Sequence, residues 1–443
     1  MRVSMNRSQA IARADNVLRQ WHVDPSRFHR AVVFLPNFDP LANEFLRRKV
    51  GIDGANRIYE QQVPQIFWRV RYFLDGAPEE YAVLFNADNG GQHSVWHKLD
   101  ERAPGAKLRK EEAQARAEAW LRDYKHVDLS AWHIVGADTS SKPNRIDHLF
   151  TWEQTAPLAG GPRAEDAAYK RIELSVHGDE ISTYRIYIKL PEEWVRRQEE
   201  QTAAKAVQQY GRYFFAIAVV ALMLIVYFQH LKQPDAPKIH WKTLLVWSLW
   251  GFAAIIISAV TNFSATLHSY DPAQMPLKIF LASIAIGSLI GSVVIAGCIL
   301  VSFGLAWYFW ARAGHGPEIP RWIAMPANYY RDALLLAVAG GATWMGFSRL
   351  LSTLNQMWPT LRSGLPGSAP VGLDALSPAT QTISGVVFTA LLSAGILAAV
   401  AGFICVYVRS LALRALLVLT TAAALMGAWG NGPDFARQLL FYA

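Results

Sequence analysis

The chain has 443 residues, 52% hydrophobic and only 18% charged, with a formal net charge of +8 at pH 7. That composition is too apolar for an ordinary soluble protein. Residues 1–210 carry 30 Lys and Arg against 29 Asp and Glu, while the remainder carries 13 against 6, placed in loops between apolar runs. Nucleic-acid binding needs basic groups gathered on a soluble face, so this distribution argues for a lipid bilayer and against a nucleic acid as partner. The two cysteines, Cys298 and Cys405, both lie in apolar runs, which leaves the first half with neither a disulfide framework nor a thiol cluster for zinc.

The N-terminus, "MRVSMNRSQAIARADN", lacks the apolar core of a signal peptide. Residues 10–21, "AIARADNVLRQW", are matched at six of twelve positions by residues 113–124, "AQARAEAWLRDY", and Val23, Asp24 and Ser26 then face Val127, Asp128 and Ser130. Strand-like material follows each helix. In the first copy it is 66–73 and 80–101, broken by Asn89-Gly90-Gly91, whose residues suit a tight hairpin. In the second it is 145–153 and 169–192, with His177-Gly178-Asp179 at the turn, and both copies close on Lys-Leu-x-Glu. The expectation is a duplicated α+β unit, a helix on a small antiparallel sheet, over 1–102 and 103–195.

Alternation along "RIDHLFTWE" puts Arg145, Asp147, Thr151 and Glu153 on one side and Ile146, His148, Phe150 and Trp152 on the other. The polar row suits either a binding groove or a solvated face. His148 falls on the apolar side, where a hydrogen-bonded core histidine is the simpler reading than a metal or acid/base role.

A juxtamembrane linker, 196–210, leads to a transmembrane helix bundle over 211–443 with six apolar runs, at about 211–231, 241–261, 277–311, 332–355, 380–408 and 411–430. Gly287 and Gly291 in the third have a small-xxx-small spacing that serves either a seam inside one bundle or a homodimer face. The loops after the first, third and fifth runs hold Lys232, Lys238, Lys242, Arg312, Arg321, Arg331, Arg409 and Arg414, and the alternate loops hold only Lys278 and Arg362. The basic set is therefore expected in the cytoplasm, with the N-terminal half outside. Some 200 residues do not ordinarily cross without a signal, so either that orientation is wrong or an apolar anchor precedes Met1. Arg349 is the charge placed deepest in a run, at a depth from which its stem can snorkel. The runs otherwise offer almost no titratable groups, which argues against proton-coupled transport and intramembrane hydrolysis by this bundle.

The helix-plus-sheet unit resembles the PepSY domains. The order of duplicated ectodomain, "RIDHLFTWE", "KLPEEWVRR" and "RWIAMPANYYRDALLLA" resembles large bacterial membrane proteins with a CPBP-type domain, similar to CAAX prenyl proteases and bacteriocin-processing proteases. That resemblance implies an intramembrane metallopeptidase whose signature is Glu-Glu-x-x-x-Arg on one span, with histidines from two more. Glu192-Glu193-Trp194-Val195-Arg196-Arg197 spells the first signature, but in a charged segment ahead of the first run, where it reads as a helix start. The expectation is a bacterial inner-membrane protein holding the ectodomain and a non-catalytic bundle. No catalytic or metal residue is assigned in this chain, and zinc is expected only in a C-terminal peptidase domain beyond it. The ectodomain would position a peptide or protein substrate. The competing reading is a non-enzymatic receptor or scaffold.

Overall fold

The computed structural model describes residues 3–36, 39–64, 66–160, 166–230, 237–314, parts of 331–339, 372–415 and 417. The expected runs at 332–355 and 411–430 lie largely outside these residues, as do Arg349 and Arg362. The chain divides into two units, one of Met1–Gln198, Val260–Ile286 and Gly364–Thr382, the other of Glu199–Ala259, Gly287–Ser363 and Ile383–Ala443.

The first unit contains two modules with the same order of elements. The first runs α1 (Arg7–Gln20), a one-turn 3-10 helix (Pro25–Arg27), β1 (His29–Pro36), α2 (Pro40–Gln61), β2 (Ile66–Phe73), β3 (Glu80–Asn86) and β4 (Gln92–Lys98). The second runs α3 (Lys110–Lys125), a 3-10 turn (Leu129–Ala131), β5 (Trp132–Ser141), β6 (Ile146–Gln154), β7 (Tyr169–His177) and β8 (Glu180–Lys189). Each makes a four-stranded antiparallel sheet in sequence order, and α2 is the only helix without a counterpart.

The agreement extends to backbone detail. Both helices bury small residues at helical spacing, Ala10 and Ala14 with Leu18, and Ala113 and Ala117 with Leu121, so each lies close on its sheet. Each is followed by a left-handed histidine, His22 (φ 59°) and His126 (φ 51°), the only non-glycine residues at positive φ among those described. Asp24 and Asp128 then accept the N–H groups of Ser26 and Ser130. The hairpin glycines are left-handed as the turn chemistry predicted, Gly90 at φ 71° and Gly178 at φ 64°. One core gathers Leu18, Trp68, Val70, Tyr72, Val83 and Phe85, and the other gathers Leu121, Phe150, Trp152, Ile172 and Leu174.

The inserted α2 stitches the modules together. It breaks at Gly51 (φ 73°, ψ 179°), a conformation open essentially to glycine alone. Its Phe45, Leu46 and Ile58 pack with Ala168, Ile188 and Leu190 of the second module. The start of α4 (Glu192–His230) joins this core, with the Trp194 ring 5.4 Å from Phe45 at 76° and the Arg48 guanidinium 5.2 Å over its face.

Strand β1 is an edge strand, and unpaired edges invite association. Its outer edge is covered by the segments flanking the apolar helices α5 (Trp241–Thr261), α7 (Leu277–Arg312) and α8 (Pro378–Tyr407). On the short α6 (Phe263–His268), Ser264 Oγ accepts the Val32 N–H at 3.0 Å and donates to Val32 O at 2.9 Å, so one hydroxyl does the work of a neighbouring strand. Asp374 Oδ2 accepts the Phe34 N–H at 3.3 Å. Arg71, buried beside Glu80 at 2.5 Å, donates Nη1 to His268 O at 2.9 Å and Tyr270 O at 2.6 Å, placing a cation at the carbonyl end of α6. Asp75 Oδ1 accepts the Leu277 N–H at 2.8 Å and the Tyr270 hydroxyl at 3.0 Å, capping the first turn of α7. The Leu277 bond, then the Tyr270 bond, hold the Asp75 carboxyl below the usual carboxylate range.

Among the described residues, three helices are long and apolar enough to cross a membrane, each lying mostly in the second unit: α5 with 21 residues, α7 with 36 and α8 with 30. The last part of α4, Ile217–His230, is a shorter apolar helix. Met223, Leu305, Tyr308, Phe309, Val400 and Ile404 form the packed core. Close approach between α7 and α8 runs through glycines: a Cβ at Gly395 would lie 2.4 Å from Ser302 Oγ, and one at Gly402 would lie 3.0 Å from Phe309 Cβ. Gly287 and Gly291 have no described neighbour within 4 Å of an added Cβ.

Candidate functional site: a cleft between the two modules

The C-terminal ends of α1 and α3 and the adjoining edges of the two sheets enclose a cleft of about 1000 Å³. The duplicated helices contribute equivalent walls. Trp21 and Tyr124 stand at the twelfth position of the repeated stretch, both line the cleft, and they are 39% and 73% exposed. Trp120 stacks on Tyr124 at 6.0 Å and 19° and reaches Tyr184 at 5.4 Å, so an aromatic column leads inward from the opening.

Strand β4 borders the cleft, and its outer edge is occupied. Lys125 Nζ donates to His93 O at 2.5 Å and Gln92 O at 3.4 Å, lying over the rings of Trp120 and Tyr184. Ser182 Oγ on β8 donates to His97 O at 2.7 Å.

At the junction of the modules, His97 Nδ1 lies 2.8 Å from Glu180 Oε1 of the second module, and Nε2 lies 3.1 Å from Glu79 Oε1 of the first. The ring also stacks on Tyr81 at 4.1 Å. Burial works against a charged ring here, but the bonds and charges of Glu180 and then Glu79 outweigh it and hold the His97 pKa above its ordinary value. Nearby His93 behaves oppositely. Buried between Phe67 and Tyr184 and repelled by Lys125, it is pushed down to about 3, chiefly by burial.

The polar row expected on β6 lies elsewhere in the fold. Arg145 is 2% exposed; its Nε donates to Asp147 Oδ1 at 2.9 Å and its Nη1 to Asp100 O at 2.5 Å and Ala103 O at 3.1 Å, which fastens the linker between modules. Glu153 accepts from Arg171 at 2.7 Å, and Thr151 flanks Gly136. The two faces alternate as predicted, with Phe150 and Trp152 in the core. His148 is a core histidine: Nε2 donates to Leu108 O at 3.0 Å and Nδ1 lies 3.0 Å from Thr139 Oγ1. Among the described residues, no group of three or more His, Cys, Asp or Glu is placed to hold a metal. Glu192 and Glu193 begin α4, and Glu193 pairs with Arg197 one turn on, so this hexapeptide is a helix start.

The cleft residues were not singled out from sequence. The signal was present, however, in the aromatic that ends both copies of the repeated stretch.

Fold and site together define a tandem α+β unit joined to apolar helices of membrane-spanning length. No family model, curated protein or solved structure matches the chain.

Proposed function

We propose that this chain is a multi-pass membrane protein of the bacterial inner membrane whose duplicated, PepSY-like ectodomain recognises a ligand or partner in the inter-module cleft. The observation that carries this reading is the covering of β1 by Ser264, Asp374 and the α7 cap at Asp75. These bonds fasten the first module to the segments that lead into α7 and α8.

In this reading the modules, residues 262–276 and residues 372–377, bonded to one another within one unit, lie on one side of the membrane. With α7 leaving that side at Leu277 and α8 leaving it again at Pro378, an odd number of crossings must separate them. The sequence offers an apolar run at 332–355 that would supply one. The basic loops then face the cytoplasm and the modules face outward.

By its sequence resemblance to CPBP-type proteins, the recognition unit would serve a zinc peptidase that takes peptide or protein substrates. The second reading is a receptor or scaffold without enzymatic activity.

The test of sidedness uses the full chain with Cys298 and Cys405 replaced by serine. In intact spheroplasts, an impermeant maleimide is expected to label Asn89→Cys and Ala273→Cys and to leave Lys238→Cys unlabelled until lysis. Labelling of Asn89→Cys and Ala273→Cys on opposite sides would overturn the attachment. For the choice of class, the coding sequence past Ala443 is read: a downstream Glu-Glu-x-x-x-Arg within an apolar run, with later intramembrane histidines, favours the peptidase, and an immediate stop codon favours the scaffold.

A further inference from the structure

The cleft has a chemistry of its own, and it narrows what can bind. A phosphorylated or strongly acidic ligand needs uncompensated cations, whereas Arg116 and Lys125 share the cleft with Asp123, Asp179 and Glu180. Lys125 is moreover committed to the carbonyls of Gln92 and His93. An extended peptide gains its affinity by adding to a strand edge. Here the β4 carbonyls at Gln92, His93 and His97 are already bonded to Lys125 and Ser182.

What the cleft does offer is a pair of exposed ring systems, Trp21 at the end of α1 and Tyr124 near the end of α3, together with the planar polar groups of Gln20, Gln92 and Asp123 that also line it. Flat apolar faces bordered by amide and carboxylate groups suit a ligand that has C–H faces on its rings and hydroxyls around their rims. The volume of about 1000 Å³ is at the upper end of small-ligand sites and leaves room for several rings in line.

From this we infer that the cleft binds a neutral oligosaccharide, whose pyranose rings lie on Trp21 and Tyr124 and whose hydroxyls bond Gln20, Gln92 and Asp123. The inference rests on the reading of the cleft as the recognition site and names its ligand class. The equivalence of Trp21 and Tyr124 in the duplicated helices gives two ring platforms from one ancestral position, an arrangement suited to a ligand that is itself a repeat.

The experiment uses the full chain in lipid nanodiscs, because maltoside detergents would compete. Saturation-transfer NMR and calorimetry are run with N-acetylchitotetraose, cellotetraose and maltotetraose. At least one of them is expected to bind saturably. Trp21→Ala and Tyr124→Ala are each expected to weaken it about five- to tenfold, the loss of one ring contact. Trp21→Phe, which keeps a ring, should restore most of the affinity and guards against a folding defect. Absence of binding by all three sugars, or binding that both alanine variants leave unchanged, would overturn the inference. If an unstructured peptide mixture binds instead and loses affinity with Trp21→Ala, the ligand class is wrong while the recognition site stands. If the sugars bind but both alanine variants leave binding unchanged, the cleft is not the site.

Discussion

The two modules repeat one plan, yet their first strands meet different fates. Strand β1 has its outer edge covered by Ser264 and Asp374, and Arg71 of β2 and Asp75 just beyond it fasten α6 and the start of α7. Strand β5, at the same place in the second sheet, is an uncovered edge among the described residues, with Ile134 and Val135 exposed and a register shift between Ile134 and Gly136. Such an irregularity re-aims an edge and discourages pairing. The difference teaches that attachment to the apolar helices is a property of one copy, acquired by a handful of side chains on a shared scaffold, while the other copy protects its edge by distortion.

Two buried arginines probe that difference most strongly. Arg71 and Arg145 each sit in a buried ion pair and each bonds two backbone carbonyls, the first in the α6 segment and the second in the linker between modules. Arg145→Met should cost about 3–5 kcal/mol, since buried Asp147 loses its partner, and Arg71→Met about 2–4 kcal/mol, since Glu80 keeps Lys98 at 3.3 Å. Only Arg71→Met is expected to open residues 269–276 to limited proteolysis. Equal cleavage in both variants would erase the contrast between modules.

The equivalent core positions come next. Leu18→Ala and Leu121→Ala should each cost about 2–5 kcal/mol from transfer and cavity terms, read by chemical denaturation of the full chain. Near-equal losses support one plan used twice, and a null effect of either would contradict the burial of that helix.

A smaller effect is expected from pH. A histidine whose pKa is raised on folding stabilises fully below its unfolded value near 6.5 and loses that contribution as pH climbs through the folded value. His97 therefore ties the modules together in acid and releases them as the medium turns alkaline. His93 acts in the opposite sense: with its pKa held to about 3, it penalises the folded state as pH falls below about 6.5. His97→Gln should flatten the alkaline limb of the melting-temperature profile, and His93→Phe the acid limb. Unchanged limbs would show that neither ring titrates as its surroundings require.

Much of the plan was legible in the sequence where local physics decides it. The stretch "IFWRVRYF" is β2 residue for residue, the hairpin glycines are left-handed, and the Asp-x-Ser turns recur because each serves its own backbone. Strands β1 and β5 and helix α2 were missed for reasons that are equally physical. "WHIVGADTSS" has no clean alternation because a bulge interrupts it, and α2 is broken by Gly51 and buries its apolar face on a distant module. The buried clamp that Arg145 makes beside β6 is not legible locally, since its carbonyl partners lie more than forty residues away in sequence. The cleft was illegible for a related reason. It exists only where two copies meet, and no single stretch encodes it.

Hydrogen exchange at the β1 edge tests the attachment most directly. In the full chain in nanodiscs, the amides of Val32 and Phe34 should exchange far more slowly than exposed-edge amides of β5, and Ser264→Ala should restore fast exchange at Val32. Exchange of Val32 and Phe34 at the rate of the β5 edge in the unaltered chain would contradict the account.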